Sequence, residues 1–118
     1  MRYMLLIYGG EEAGAKWSEA EQAANMDLWF KFTDDFQKSG KMLGGEALMT
    51  VATATTVRGK AGGGTLTTDG PFAETKEGLG GYYMIDAANL DEAIEWSSKM
   101  PIIANGGCVE IRPIVEFG

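Results

Sequence analysis

Residues 1–8, MRYMLLIY, have apolar or aromatic side chains at both alternating sets of positions. In a β-strand the two sets point to opposite sides of the sheet, and here they are Tyr3, Leu5 and Ile7 on one side and Met4, Leu6 and Tyr8 on the other. A strand that is apolar on both sides is typical of one that is covered on both faces. The stretch therefore predicts a central strand in a sheet whose two faces both need a cover.

Two helices are indicated farther along the chain. Residues 18–21, SEAE, have the capping-box pattern of a hydroxyl followed three residues later by a carboxylate. Leu28, Phe32 and Phe36 follow at four-residue spacing, which we interpret as a stripe packed in the core. Residues 89–92, NLDE, repeat the capping pattern and open a shorter helix, which Pro101 prevents from continuing.

The remaining strands are indicated by β-branched and aromatic residues between glycines. They are residues 41–49 with a bulge or bend at Gly44 and Gly45, a hairpin formed by 53–59 and 65–70, a strong strand at 80–87 and a last strand at 108–117. The glycine-rich residues 60–64 then form the hairpin tip. Cys108, at the start of the last strand, is interpreted as a core residue.

This order predicts an α+β protein with the ferredoxin-like βαββαβ arrangement and an inserted β-hairpin. We take residues 1–118 as a single domain, because the chain is long enough for one core and its composition is even throughout. In such a fold both helices lie on one face of the sheet. The apolar second face is expected to be covered by a second copy of the chain, or by the inserted hairpin. A homodimer that encloses a cavity between two sheets is the natural outcome.

Composition excludes several classes of function. The net charge is −7 with scattered basic residues, which disfavours contact with nucleic acid. The single cysteine and the absence of histidine exclude an internal disulfide and a cysteine- or histidine-based zinc site. The first apolar run is too short for a signal or spanning segment, so we expect no membrane association and a cytoplasmic location. No pattern indicates a cofactor.

Residues 69–77, DGPFAETKE, are longer than a hairpin connection needs. If residues 73–77 are extended, Glu74 and Lys76 point the same way and could act as a base and an electrostatic clamp on a small anionic or carbonyl compound. Asp69 would be a second carboxylate near them. We therefore take Asp69, Glu74 and Lys76 as the candidate catalytic residues.

Two other interpretations of this loop stay open. It could be a rigid connection in which Phe72 fills the core and the charged side chains form a solvated rim. Its carboxylates could also hold a hard cation, although no regular ligand spacing supports this and we predict no metal.

Two candidate ligand-binding residues lie on predicted strands. Arg112 shares a strand face with Glu110, and it could bind a ligand carboxylate in a forked geometry if that face looks into the cavity. A surface ion pair between Arg112 and Glu110 is the alternative. Tyr82 could line the same cavity, as could Tyr8 and Tyr83, although packing at a dimer interface explains the tyrosines equally well.

The phrase TDGPFAETKE followed by LGGYYMID resembles the signature of the DGPF proteins, a bacterial branch of the YCII-related family. The segments MRYMLLIYG, GGEAL, TATTVRG, LDEAIEW and VEIRP also resemble that family's recurring segments, in order, over nearly the whole chain. The resemblance implies a dimeric α+β barrel built from ferredoxin-like subunits. It also implies a site loop composed of the motif residues, which adds Gly70, Pro71, Phe72 and Glu77 as ligand-binding candidates.

The resemblance implies less about activity. YCII relatives are proposed to use a His-Asp pair, and some are linked with lyase-type chemistry on small organic acids, but this chain has no histidine. The leading hypothesis is a small-molecule-binding homodimer that performs cofactor-independent lyase or isomerase chemistry on a small organic acid. The alternative is a noncatalytic regulatory or interaction module. Its partner would be an extracytoplasmic-function sigma factor, with which DGPF proteins are associated by gene context.

Overall fold

The computed structural model describes residues 1–72 and 77–117. Six strands are present in this part of the chain: β1 (Arg2–Tyr8), β2 (Met42–Ala47), β3 (Thr55–Gly59), β4 (Thr65–Asp69), β5 (Leu79–Asp86) and β6 (Cys108–Pro113). Three α-helices accompany them: α1 (Glu11–Gly14), α2 (Glu19–Lys38) and α3 (Leu90–Ser98). The sequence analysis did not predict the short α1.

Four of the strands form one sheet in the order β2-β5-β1-β6, and all of its neighbouring strands are antiparallel. Strand β1 lies between β5 and β6, with Leu5 opposite both Tyr83 and Ile111. Together with α2 and α3 these strands give the βαββαβ order of the ferredoxin-like fold. The predicted α+β fold class is therefore confirmed, including the central position of β1.

The core lies between the helices and one face of this sheet. Leu5, Ile85 and Phe36 are fully buried there, and Phe36 packs against Trp96 with ring centroids 4.8 Å apart. The other core members are Tyr3, Ile7, Phe32, Ala87, Ala93, Met100 and Ile102. The predicted stripe on α2 is right for Phe32 and Phe36 but wrong for Leu28. Leu28 is 57% exposed, because it lines an open hollow of about 400 Å³ with Phe32, Trp96 and Pro101.

Both predicted helix caps are present. The Ser18 hydroxyl accepts from the Glu21 backbone N–H at 3.1 Å, while the Glu21 carboxylate accepts from the Ser18 N–H at 3.1 Å. Asn89 caps α3 by accepting from the Glu92 N–H. Within the described residues, no helix combines the length and the apolar character needed to cross a bilayer.

The predicted irregularity in β2 is a β-bulge. Met42 pairs with Ile85 and Gly44 pairs with Met84, so Leu43 is the extra residue. A Cβ atom placed on Gly45 would lie 2.6 Å from the Tyr83 ring and 2.7 Å from the Tyr82 carbonyl oxygen. Gly45 is therefore required because the two strands approach too closely for a side chain at this position.

Strands β3 and β4 form a separate two-stranded sheet, which we call the hairpin arm (residues 55–69). Its residues are exposed on both faces, except that Thr56 is half-buried. The Cα atoms span 49 × 47 × 18 Å, and the radius of gyration is 16.4 Å, against about 13.5 Å for a compact chain of this length. The arm thus extends away from the four-stranded sheet and leaves that sheet's second face uncovered.

Candidate functional site

The face of the four-stranded sheet opposite the helices is the candidate site, and we call it the open face. Its apolar floor consists of half-buried side chains from the two central strands, namely Met4, Leu6, Tyr8, Tyr82 and Met84. The register places Met4 beside Met84 and Leu6 beside Tyr82. The open face is therefore a continuous apolar surface at the centre of the sheet, as the alternation in residues 1–8 predicted.

Charged side chains flank this floor on β6. Glu110 lies opposite Leu6, and Arg112 lies opposite Met4. Both are exposed, and no ion pair within 4.0 Å joins them to each other or to another described residue. The surface ion pair weighed in the sequence analysis is therefore absent from the described residues, and Arg112 keeps its guanidinium available for a ligand anion.

Tyr8 and Glu110 form the polar pair of the open face. The Tyr8 hydroxyl donates to Glu110 Oε1 at 3.3 Å. Burial raises the pKa of Tyr8 above its ordinary value, and the negative charge and hydrogen bond of Glu110 raise it further, while Arg112 opposes the effect. Tyr8 is therefore held as a neutral phenol whose single O–H is donated to Glu110, and its oxygen can still accept a hydrogen bond.

The opposite edge of the open face has one carboxylate. Glu46 on β2 pairs with Tyr82, is exposed, and has no basic partner within 4.0 Å among the described residues. The sequence analysis missed Glu46, because the bulge at Leu43 shifts the alternation of β2 in a way that the sequence alone does not show. Cys108 lies opposite Tyr8 and is exposed, so the expectation that it is a core residue was wrong. Because Cys108 pairs with Tyr8, it lies on the open face, which no described helix covers.

The loop predicted to be catalytic is partly outside the described residues. Glu74 and Lys76 lie there, and the proposal that they face a ligand stays a prediction. Asp69 is the last residue of β4 in the hairpin arm, where it is exposed and pairs with Thr55. Asp69 therefore belongs to a different sheet from Tyr82 and Arg112.

The DGPF turn leads out of the hairpin arm. Gly70 has a φ of 95°, a left-handed conformation that favours glycine, and its N–H donates to the Ala54 carbonyl at 2.7 Å. Pro71 is exposed, and Phe72 is 76% exposed with its carbonyl accepting from Arg58 at 3.0 Å. Phe72 therefore does not fill the core, which was one of the two structural interpretations of the loop.

Glu77 lies at the other end of the loop, near the end of β1. It lines a hollow of about 320 Å³ together with Gly9, Gly10, Glu12, Ala13, Lys16, Asn105 and Gly106. The loop is tied to β1 here, since the Gly9 N–H donates to the Gly78 carbonyl at 2.9 Å. Because Gly9 follows Tyr8 directly, the end of the loop lies at the same end of the sheet as the Tyr8–Glu110 pair.

The structure thus brings together Tyr82 and Arg112 on the open face and places Glu77 at its end. It does not bring Tyr83 there. Tyr83 points toward the helices, where its hydroxyl lies 2.6 Å from the Thr33 hydroxyl and burial raises its pKa. Among residues 1–72 and 77–117, no three acidic or cysteine side chains come close enough to hold a metal ion.

The fold and the open face define a class: a ferredoxin-like α+β domain of the α+β barrel type. The family model described as "YCII-related domain" matches residues 1–118. An uncharacterised protein of Rhizobium meliloti (strain 1021) is 36% identical over 118 residues, covering 99% of this chain and 94% of that protein. The chain belongs to the YCII-related family.

A solved structure has the same fold. It is 5-chloro-2-hydroxyhydroquinone dehydrochlorinase (TftG) from Burkholderia phenoliruptrix AC1100, in complex with 2,5-dihydroxybenzoquinone. The TM-score is 0.59 at 10% identity, and the match covers 99% of this chain and 96% of that one. At this identity the similarity shows the fold alone.

Proposed function

We propose that this protein binds a small acidic organic compound on the open face and that a second copy of the chain encloses the ligand. The observation that supports the proposal is the composition of that face. A half-buried apolar floor is flanked by the Tyr8–Glu110 pair and by Arg112. Ligand sites commonly combine an apolar lining with a few polar groups that set orientation.

A homodimer follows from the apolar floor. Monomeric proteins rarely expose a contiguous apolar patch of this kind at the centre of a sheet. The helices cover only the side formed by Tyr3, Leu5 and Ile7. A second copy that covers the open face would remove Met4, Leu6 and Met84 from water and would leave the charged flanks as the walls of an enclosed space.

The ligand class is a planar carboxylate or acidic phenol. Arg112, opposite Met4, provides a forked donor for two oxygen atoms. The Tyr8 phenol lies toward the other end of β1, where its oxygen would accept a hydrogen bond from a ligand hydroxyl while its O–H donates to Glu110. The related fold of TftG binds 2,5-dihydroxybenzoquinone, a planar compound of this type. The apolar floor would then pack against the ring.

The chemistry proposed for this site is a cofactor-independent lyase or isomerase step. Asp69 or Glu74 would move the proton, and Lys76 would stabilise the negative charge that develops on the substrate. Gly70, Pro71, Phe72 and Glu77 would form the rest of the ligand-facing loop, with Tyr82 in the floor. Since Asp69 lies in the hairpin arm, its part in this step requires the arm to reach a pocket.

A thermal-shift screen of aromatic carboxylates and dihydroxyquinones tests the binding proposal. A compound that binds the folded protein raises its melting temperature by an amount that grows with the logarithm of the ratio of its free concentration to Kd. We expect Arg112→Gln to weaken the best binder by about tenfold, as loss of a charge-assisted hydrogen bond commonly does. The matched control is Lys38→Gln on α2, which lies on the helix side of the sheet and is paired with Asp34.

A negative result in the thermal-shift screen would contradict the binding proposal. If no carboxylate or quinone shifts the melting temperature of a protein that is dimeric by light scattering, the small-molecule proposal is wrong and the protein-partner alternative gains support. Catalysis has its own test in Asp69→Asn and Glu74→Gln. An enzyme loses turnover with an unchanged melting temperature, whereas a structural loop loses melting temperature first.

A further inference from the structure

The hairpin arm has no partner within its own described chain that would stabilise it as a sheet. Its two strands pair only with each other among the described residues, and a lone two-stranded hairpin is at best marginally stable in water. Even so, Val57 is 62% exposed and Leu66 is 47% exposed. Each face of the arm thus has one exposed apolar side chain, on a hairpin that needs further packing to be stable.

The arm cannot cover the open face of its own subunit. The molecule is only 18 Å thick, which corresponds to one sheet and one layer of helices. The arm therefore extends within the plane of these layers and does not fold back over the sheet. A cover supplied by the arm must come from a different copy of the chain.

The area of the open face also favours a contribution from the arm of a second copy. Four strands of about six residues give a face of roughly 20 by 20 Å, or about 400 Å² in projection. A stable interface of standard size buries about 800 Å² on each partner. The open face alone is thus small for a dimer, and the exposed hairpin arm would extend it.

Charge distinguishes the two faces of the arm. The register places Arg58 opposite Leu66 on one face, with Thr56 and Thr68, while Asp69 lies on the other face with Val57. The face with Arg58 has no acidic residue. Only one nitrogen of the Arg58 guanidinium is bound within the described chain, to the Phe72 carbonyl, so the other donors are available.

The open face has a carboxylate that lacks a cation. Glu46 and Arg112 are on opposite edge strands of the sheet, roughly 14 Å apart across three strand spacings. Glu46 has no basic partner within 4.0 Å among the described residues. This carboxylate could pair with an arginine of a second copy. An apolar side chain next to that arginine would then pack on the apolar floor beside Tyr82.

We propose that the hairpin arm of each subunit packs on the open face of the other, with Arg58 paired to Glu46 of the second copy and Leu66 against its apolar floor. The inference rests on the proposed homodimer and deepens it. Each ligand pocket then has a floor from one subunit and a wall from the other.

A charge exchange between subunits tests the proposal. One variant has Arg58→Glu and the other has Glu46→Arg, so that like charges meet in each homodimer. We expect each homodimer to dissociate about tenfold more readily than the wild type. When the two variants are mixed, with one carrying a heavy-isotope label, every arm meets a face of opposite charge. Native mass spectrometry should then find heterodimers well above their statistical share.

The possible results distinguish a failure of the arm exchange from a failure of the proposed homodimer. Heterodimers at the statistical share, from variants that dimerise like the wild type, overturn the arm exchange and leave the homodimer intact. A monomeric wild type overturns both. The matched control is Lys38→Glu, a charge reversal on the helix side that should leave self-association unchanged. Both test positions are exposed, so circular dichroism should show native structure in each variant.

Discussion

The Tyr8 hydroxyl donates a 3.3 Å hydrogen bond to Glu110 Oε1 across the β1–β6 pair, on the side of the sheet that no described helix covers. The two residues are diagonal neighbours, since Tyr8 pairs with Cys108 and Glu110 pairs with Leu6. Burial and the adjacent carboxylate together raise the pKa of Tyr8. The pair therefore holds Tyr8 as a protonated phenol at neutral pH.

We predict that Glu110→Gln lowers the pKa of Tyr8, because the substitution removes the negative charge that disfavours the phenolate. The pKa should stay above the ordinary tyrosine value, since burial is the larger cause. A pH titration of phenolate absorbance measures this, with Tyr8→Phe identifying the contribution of Tyr8. Glu116→Gln is the control, because that carboxylate binds Arg2, and an equal effect there would contradict the pairing.

Two adjacent glycines in β2 should respond differently to alanine. Gly45→Ala places a Cβ atom against the Tyr83 ring and the Tyr82 carbonyl, and we expect a loss of about 1–3 kcal/mol from overpacking. Gly44→Ala meets nothing within 4 Å and should change stability by less than about 0.5 kcal/mol. Urea unfolding of both variants measures the difference, and equal stabilities would show that β2 and β5 are not as close as described.

Alanine substitution should strongly destabilise the protein at one phenylalanine of α2 and have little effect at another. Phe36 is fully buried between Tyr83 and Trp96, so Phe36→Ala should cost about 3–5 kcal/mol. Phe30 on the same helix is 66% exposed, and Phe30→Ala should cost less than about 1 kcal/mol. Chemical unfolding monitored by circular dichroism compares them. A large loss at Phe30 would mean that the outer side of α2 is covered in solution.

The Lys41–Glu92 ion pair should make stability depend on pH. Lys41 Nζ lies 2.8 Å from Glu92 Oε1 and ties the start of α3 to the strand β2. The pKa of Glu92 is lowered, first by the hydrogen bond from Lys41 and then by the Ala88 N–H. Because the folded pKa lies below the ordinary 4.5, the stabilisation is complete above that value and is lost as pH falls through the folded pKa.

Lys41→Met should therefore lower the melting temperature most at neutral pH, and the gap from the wild type should narrow as the solution becomes acidic. Differential scanning calorimetry across this range measures the gap. Lys38→Met is the control, since Lys38 pairs with Asp34 on the exposed side of α2 and exposed pairs contribute little. A gap that is constant with pH would mean that Lys41 acts through packing alone.

Much of the fold was predictable because its signals are local. The alternation in residues 1–8, the helix caps at Ser18 and Asn89 and the glycines at the bulge each depend on neighbours within a few residues. The family resemblance extended this to the whole chain, and the match of the family model over residues 1–118 confirmed it. Leu28 and Cys108 were misplaced because their exposure depends on how closely α2 packs on its neighbours and on which sheet face the helices cover, which local pattern does not specify.

The sequence by itself determined the order of the elements and the presence of a second apolar sheet face, since strand and helix periodicity are properties of short segments. Only the tertiary structure decided that the Tyr8 hydroxyl meets Glu110, that Glu46 joins the open face, and that the hairpin arm leaves its own sheet uncovered. Each of these depends on strand register or on the direction in which an arm leaves the sheet. Such relationships between residues tens of positions apart arise from packing and chain geometry.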